Sequence, residues 1–417
     1  MIGLPLTSGA DDDSATDDQR EPALIAQIAR IRQQVSDLRG LSLNQPVPDH
    51  FISRSAIRRE LDAEAQPPDP NNPLNQFYIA FDLYPDDGSD IQQTTNEINA
   101  ANIGGYYDLI EREIFVVLDE GDDPGKRLSA REQVIYAHEF THALQDQHFE
   151  VTDILWFTYT NETYMAALAF IEGDAMFTQE LFILDSVQNK PEDDEILAVR
   201  LLGEMTPPKN APDIIRAELD FVYLGGMNFI KTLYETGGWS AVNSVYDDPP
   251  IATSHILHPQ DYMAGVMPRM VSVNSLIYSA FDDPEGWDRM REDTLGEFYL
   301  REYLATQLTP ARVDEAATGW RGDRYILFYN RRINRRAWVL VTTWDRVADA
   351  QTFTRHYHQF AIARTDDDSP LHRIAGVDCW TGDDGALCLR HRGGHEVVIA
   401  YAPTAAEGRA MIALQTD

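Results

Sequence analysis

The sequence predicts an α+β fold, with a mainly helical region over residues 23–318 and a smaller α+β lobe over 319–417. Three observations lead there. Before Gly319, apolar residues recur mostly at three- and four-residue spacing, the period of a buried helix face. Strand-like runs are confined in that region to one short hairpin near Gly104–Leu118, an edge-strand hairpin, and become frequent after Gly319. No apolar run approaches the roughly 20 residues needed to span a bilayer, so no membrane-spanning segment is expected.

Residues 1–22 are acidic and rich in Ser, Thr and Gly, a composition expected to stay disordered. Ala23 to Leu38 carries Leu24, Ile28, Ile31 and Val35 at helical spacing. A bend at Pro46–Pro48 precedes a second helix near Ser53–Ala63. Pro67 to Pro73 is a break, followed by Leu74–Ala80 and a polar helix around Ile91–Ala101. Gly104-Gly105-Tyr106-Tyr107-Asp108 and Glu113–Leu118 read as the hairpin.

Ser129 and Glu132 form an S-x-x-E capping box, and no Pro or Gly follows until Phe149, so a helix is predicted over 129–149. A second long helix, rich in alanine, is predicted over 161–185. Further helical segments are expected at Glu195–Leu202, Asp213–Phe221, Met227–Glu235 and Ala241–Tyr246, the last two separated by Gly237-Gly238. Leu295–Gln307 and Pro310–Ala317 complete the helical region. Beyond it, strands are expected at Arg324–Asn330, Arg336–Thr343, Cys388–Arg390 and Glu396–Tyr401, with a helix at Ala348–Ala363.

The net charge of −34 repels nucleic acid and anionic lipid, so no nucleic-acid partner is expected, and it favours a solvated acidic surface that can attract cationic peptides. Cys379 and Cys388, the only cysteines, flank a turn-rich stretch able to fold back as a hairpin. A disulfide and two buried thiols are both open readings there. Ser8-Gly9-Ala10 before an acidic run looks like a small-residue cleavage site, and export to the extracellular space or cell envelope is the expectation.

The chemistry concentrates in His138-Glu139-Phe140-Thr141-His142, an H-E-x-x-H signature. Residues four apart share a helix face, so His138 and His142 can grip one metal ion. Glu139, one step round, can act as general base towards a water. Tyr136, Phe140 and Ala143 make the opposite face apolar, which marks a helix buried on both sides. Buried polar histidines need partners, and a metal supplies them.

Catalytic zinc usually keeps three protein ligands. His148 has the spacing of the third histidine in H-E-x-x-H-x-x-G-x-x-H, but Gln145 stands where that pattern breaks the helix with glycine. On a continuous helix His148 points about 100° away. A capping or supporting role suits it better. Glu172, in Ala169-Phe170-Ile171-Glu172-Gly173-Asp174-Ala175, is the stronger candidate: an unpaired carboxylate mid-way along this alanine-rich helix would be costly, and small neighbours let two helices approach closely enough to share a metal. Asp174 is read either as a partner of a zinc histidine or as a surface residue.

The run His138–Phe149, followed by Glu172-Gly173-Asp174-Ala175, resembles a largely uncharacterised group of bacterial zincin-like metallopeptidases. Glu172-Gly173-x-Ala175 is also similar to the E-G-x-A around the third ligand of aminopeptidase-type gluzincins. Gly104-Gly105-Tyr106-Tyr107-Asp108, Ile256-Leu257-His258-Pro259-Gln260-Asp261-Tyr262 and Gly319-Trp320-Arg321-Gly322-Asp323-Arg324-Tyr325 fit the same group, so the resemblance spans roughly Ile31 to Asp345. Where the group often reads S-T-E-Q before I-L-H-P, this chain has Ala252-Thr253-Ser254-His255; the acidic residue is replaced by Ser254, and no role transfers to it.

The resemblance implies zinc held by His138, His142 and Glu172, with Glu139 as base, in a peptidase acting on a peptide or protein substrate. His258 and Tyr262, and also His255, are candidate donors to the developing oxyanion. A structural turn histidine and a core tyrosine are the plainer readings of those residues. A zinc-binding protein without turnover, and a zinc hydrolase of a non-peptide bond, are the alternatives.

Overall fold

The structure is a computed structural model and describes residues 20–64, 66–121, 123–189, 211–274, 276–367 and 373–415. The first nineteen of the residues expected to be disordered, with the cleavage-like Ser8-Gly9-Ala10, and the helix expected at Glu195–Leu202 lie outside these residues. Disorder was expected to run to residue 22, yet Arg20 pairs with Asp49 and Pro22 starts a helix, so residues 20–22 are ordered. The described residues form an α+β protein in two compact units.

The first unit comprises residues up to Pro68, Gln93–Thr158 and Tyr164–Ile251. Its first helix, α1 (Pro22–Arg39), buries Leu24, Ile28, Ile31 and Val35 and stops at Gly40, whose φ of 73° suits glycine. Strand β1 (Asp49–Ile52) and helix α2 (Arg54–Glu64) follow; α4 (Ile91–Asn102) lies mostly in this unit. Strands β2 (Gly105–Asp108) and β3 (Glu113–Val117) form the predicted hairpin. The sheet order is β1-β3-β2, with β1 parallel to β3.

The hairpin therefore has one edge strand, β2, and one inner strand, β3, which β1 covers. Strand β1 is only four residues of mixed polarity, Asp-His-Phe-Ile, too short to show a period of two. One sheet face, Tyr107, Ile114 and Val116, packs on α1 and on the helix that carries Val134, Tyr136 and Phe140. The other, Tyr106, Phe115 and Val117, packs on Ile57 and Ile103.

Helix α5 (Ala130–Phe149) is the predicted central helix, and both hydrogen bonds of the Ser129–Glu132 capping box are present. After the short α6 (Val151–Trp156) comes α7 (Asn161–Asn189), four residues longer than expected. Helix α8 (Asp213–Asp220) runs through a π turn (Phe221–Gly225) into α9 (Gly226–Val245). The expected break is there: Gly237 and Gly238 leave helical geometry, with φ of −152° and 63°.

The second unit comprises Asp69–Gln92, Tyr159–Thr163 and Ala252–Asp417. Its antiparallel sheet has six strands in the order β4-β5-β6-β9-β8-β7. They are β4 (Asp288–Asp293), β5 (Trp320–Asn330), β6 (Arg335–Trp344), β7 (Asp378–Thr381), β8 (Ala386–His391) and β9 (Glu396–Ala402). Helix α15 (Ala405–Ala413) covers one face through Met411 and Ile412. On the other, α3 (Pro73–Ala80) and α14 (Val347–Thr365) pack, with Phe81 stacked on Trp338 at 4.8 Å and Phe353 on Trp344 at 4.5 Å. Helices α10 (Thr253–Leu257), α11 (Pro259–Met263), α12 (Gly296–Ala305) and α13 (Pro310–Ala317) complete the unit.

The compact unit with this sheet thus takes in Asp69–Gln92, Tyr159–Thr163 and all of Ala252–Asp417 rather than starting at the expected residue 319, and its sheet already starts at β4, which pairs with β5. Strand β4 reads Asp-Arg-Met-Arg-Glu-Asp, half exposed, and carries no apolar alternation to betray it. Cys379 and Cys388 sit directly opposite each other on β7 and β8 and form a disulfide.

Candidate metal centre

Helix α5 presents His138 and His142 one turn apart, and α7 brings Glu172 to them. Nε2 of His138 lies 3.1 Å from Oε2 of Glu172 and 3.2 Å from Nε2 of His142, which is itself 3.3 Å from Oε2 of Glu172. The three residues are 2%, 1% and 1% exposed. Among the described residues this is the one group of histidine, cysteine, aspartate and glutamate side chains with convergent ligand atoms.

Four ligands at tetrahedral angles, each about 2.05 Å from zinc, stand about 3.3 Å apart. The three donor atoms are spaced to match such an edge, and the group could hold a metal ion. Charge supports the fit. Burial lowers the His138 pKa and so favours the neutral imidazole that ligates. Burial opposes ionisation of Glu172 too, yet its carboxyl is held well below its usual range, in part by the imidazoles of His142 and His138.

Glu139 is buried beside this group, on the side of β2. A Cβ on Gly105 would lie 3.2 Å from Glu139 Cγ and 2.7 Å from the Phe115 carbonyl oxygen, so only glycine lets the strand come this close.

The small residues of α7 act at a different contact from the one expected. A Cβ on Gly173 would lie 2.2 Å from the Gly226 carbonyl carbon, and one on Gly226 would lie 1.9 Å from the Ala169 oxygen. At these two glycines backbone meets backbone between α7 and the start of α9.

Asp174 is neither a partner of a zinc histidine nor a surface residue. It is fully buried, and both its oxygens accept from Arg39, with the Tyr246 hydroxyl donating as well. Helix geometry explains this, since two residues past Glu172 the side chain points to α1. His148 is exposed at the last turn of α5 and donates to the Ser42 carbonyl at 2.7 Å.

His258 and Tyr262 belong to the second unit. His258 lies between α10 and α11, where its Nε2 meets Glu297 at 2.9 Å, and that hydrogen bond raises its pKa. Tyr262 packs edge-on against His255, whose Nε2 donates to the Val266 carbonyl.

Sequence reasoning missed Tyr223. It sits on the π turn, buried, with its ring 6.4 Å from that of His138. Burial, and then the charges of Glu172 and Glu139, push its phenol well above the ordinary value. Its only sequence signal was the Phe-Val-Tyr-Leu-Gly-Gly junction, which reads as ordinary helix; π turns of this kind recur at functional sites. A groove of about 610 Å³ along α1, lined by Arg32, Ser36, Asp37 and Phe140 among others, includes none of these residues.

A family model described as a domain of unknown function, DUF8575, matches residues 285–412, a stretch without the metal centre. No curated protein matches the chain. A crystal structure from Chloroflexus aurantiacus, described as "a putative hydrolase with a novel fold", is similar at 15% identity over 60% of this chain and 92% of that one. Its TM-score of 0.34 carries no argument about this chain.

Proposed function

We propose that this chain is a zinc metallopeptidase of the zincin type, with zinc held by His138, His142 and Glu172 and with Glu139 as general base. One observation carries the reading: three buried donor atoms spaced 3.1–3.3 Å apart, with a glutamate next to the first histidine on the same helix. A purely structural zinc site usually takes four protein ligands and needs no base.

Bound zinc would act as a Lewis acid, polarising the scissile carbonyl and lowering the pKa of a water towards about 7. Glu139 would take the proton of the attacking water and pass it to the departing amine. Tyr223, kept protonated by burial and by the nearby carboxylates, is suited to donate to the carbonyl oxygen as charge develops. His258 and Tyr262 are alternative donors on sequence grounds.

The place of β2 as an outer strand of its sheet is the feature that suggests a peptide substrate, although all four of its residues are buried in this structure. The Val117 N–H donates to the Gly104 oxygen at 2.8 Å, so the antiparallel alternation turns the N–H and C=O of Gly105 and Tyr107 away from β3. An extended peptide could add there as a strand. The Cys379–Cys388 bridge supports an oxidising, exported setting.

Metal analysis of the purified chain, with digestion of a peptide mixture, tests the proposal. Zinc at about one ion per chain and hydrolysis lost on chelation are expected. Metal-free protein of full activity sinks it, and hydrolysis confined to non-peptide bonds overturns the substrate class.

A further inference from the structure

We infer that Gln145 is a positioning residue of the metal centre. Its side-chain amide fixes which nitrogen of His142 faces the metal, and it ties α5 to the peptide unit that carries Glu172. The inference rests on the reading of His138, His142 and Glu172 as metal ligands.

The Ile171 backbone carbonyl can only accept a hydrogen bond. It lies 2.9 Å from the Gln145 side chain, so the amide nitrogen of Gln145 faces it. The Gln145 oxygen is thereby turned to Nδ1 of His142, 2.7 Å away. An amide oxygen also only accepts, so Nδ1 must carry the hydrogen. In the neutral ring, Nε2 is then left with its lone pair, and Nε2 is the atom that meets His138 and Glu172. One backbone carbonyl, relayed through one amide, selects the ligating tautomer of His142.

The same amide acts on the third ligand. The carbonyl of Ile171 belongs to the peptide bond that joins it to Glu172. Gln145 therefore links the ligand-bearing helices at the point where their relative position decides whether Glu172 reaches the histidines. The side chain is fully buried, so neither bond has water as a substitute. No such clamp holds His138, whose buried Nδ1 has no hydrogen-bond partner among the described residues. The loss of Gln145 should fall on His142 and Glu172.

Gln145 also occupies the position where a helix-breaking glycine would let a residue at 148 swing back to the metal. Here the helix stays intact, and the side chain that keeps it intact supports the ligands instead.

Nitrogen-15 histidine NMR of the zinc-free full chain, near neutral pH, and zinc competition with a chelator of known affinity test the inference. In the wild type, His142 should show the Nδ1–H tautomer. Gln145→Met, similar in length and unable to hydrogen-bond, should lose that preference and weaken zinc binding by about 10–100-fold. Gln145→Glu keeps the acceptor and loses the donor, so it should keep the tautomer and loosen only the tie to α7. A wild-type His142 with its hydrogen on Nε2 overturns the inference, as does a Gln145→Met protein with unchanged tautomer and zinc affinity. Should Gln145→Met fail to fold, the wild-type spectrum and Gln145→Glu still decide. A wild type with the Nδ1–H tautomer but no zinc affinity would refute the metal reading and leave the tautomer assignment standing.

Discussion

Arg39 and Asp174 meet fork to fork in the interior of the first unit, Nε and Nη2 each 2.8 Å from a carboxylate oxygen, with neither side chain exposed to solvent. The Arg39 guanidinium also lies 4.2 Å from the Trp239 ring centroid. This pair anchors α7 to α1 two residues beyond Glu172. Removing one member leaves the other charged and dry. Asp174→Ala should cost about 3–5 kcal/mol, read from chemical denaturation. A cost below about 1 kcal/mol would mean that Arg39 finds water or another partner, and the anchoring role would fail.

Glu139→Gln removes a base and no ligand. Zinc should stay bound while kcat falls by at least about 10²-fold, the span general base catalysis supplies. Near-normal turnover would rule out Glu139 as the base.

Glu172 and His148 compete on paper for the third ligand position. Glu172→Ala should lose zinc and activity together, since the carboxylate is within 3.1–3.3 Å of both imidazoles. His148→Ala should leave zinc affinity unchanged, because that ring is spent on the Ser42 carbonyl at the protein surface. Zinc loss in the His148 variant alone would reverse the assignment.

Tyr223→Phe keeps the ring and removes the donor. A drop in kcat of about 10²–10³ with KM little changed is expected if the phenol stabilises the oxyanion. Tyr262→Phe and His258→Ala, assayed beside it, decide between the three; the largest loss in either of those would shift the role to the second unit.

His258 carries a pH dependence of its own. Its hydrogen bond to Glu297 raises the folded-state pKa above the ordinary histidine value of about 6.5. The stabilisation from the pair is therefore complete below about pH 6.5 and is lost as pH climbs through the folded value. An NMR titration should place the His258 midpoint above about 6.5, and Glu297→Gln should bring it down. A wild-type midpoint at or below the ordinary value would contradict the pairing.

The legible parts of this protein were those whose signal is local. The Ser129–Glu132 box, the turn spacing of His138 and His142, and the Gly237-Gly238 break are written within a few consecutive residues. Glu172 was legible because a carboxylate in an alanine-rich helix is costly without a partner. What stayed hidden depends on neighbours far along the chain. Strands β1 and β4 are short or charged and exist because β3 and β5 offer free hydrogen-bonding edges. Asp174 could not be placed without Arg39, 135 residues away, nor Tyr223 without the π turn that aims it.

The backbone crossing of Gly173 and Gly226 sets limits on how this sequence can drift. A single methyl at either position would have to displace main chain, which cannot swing aside as a side chain does. In a mutational scan for zinc retention, these two positions should therefore tolerate less than many of the large core residues, although neither offers a functional group. Divergent versions of the site would be free to change the aromatic packing around it long before they could add one carbon at the crossing.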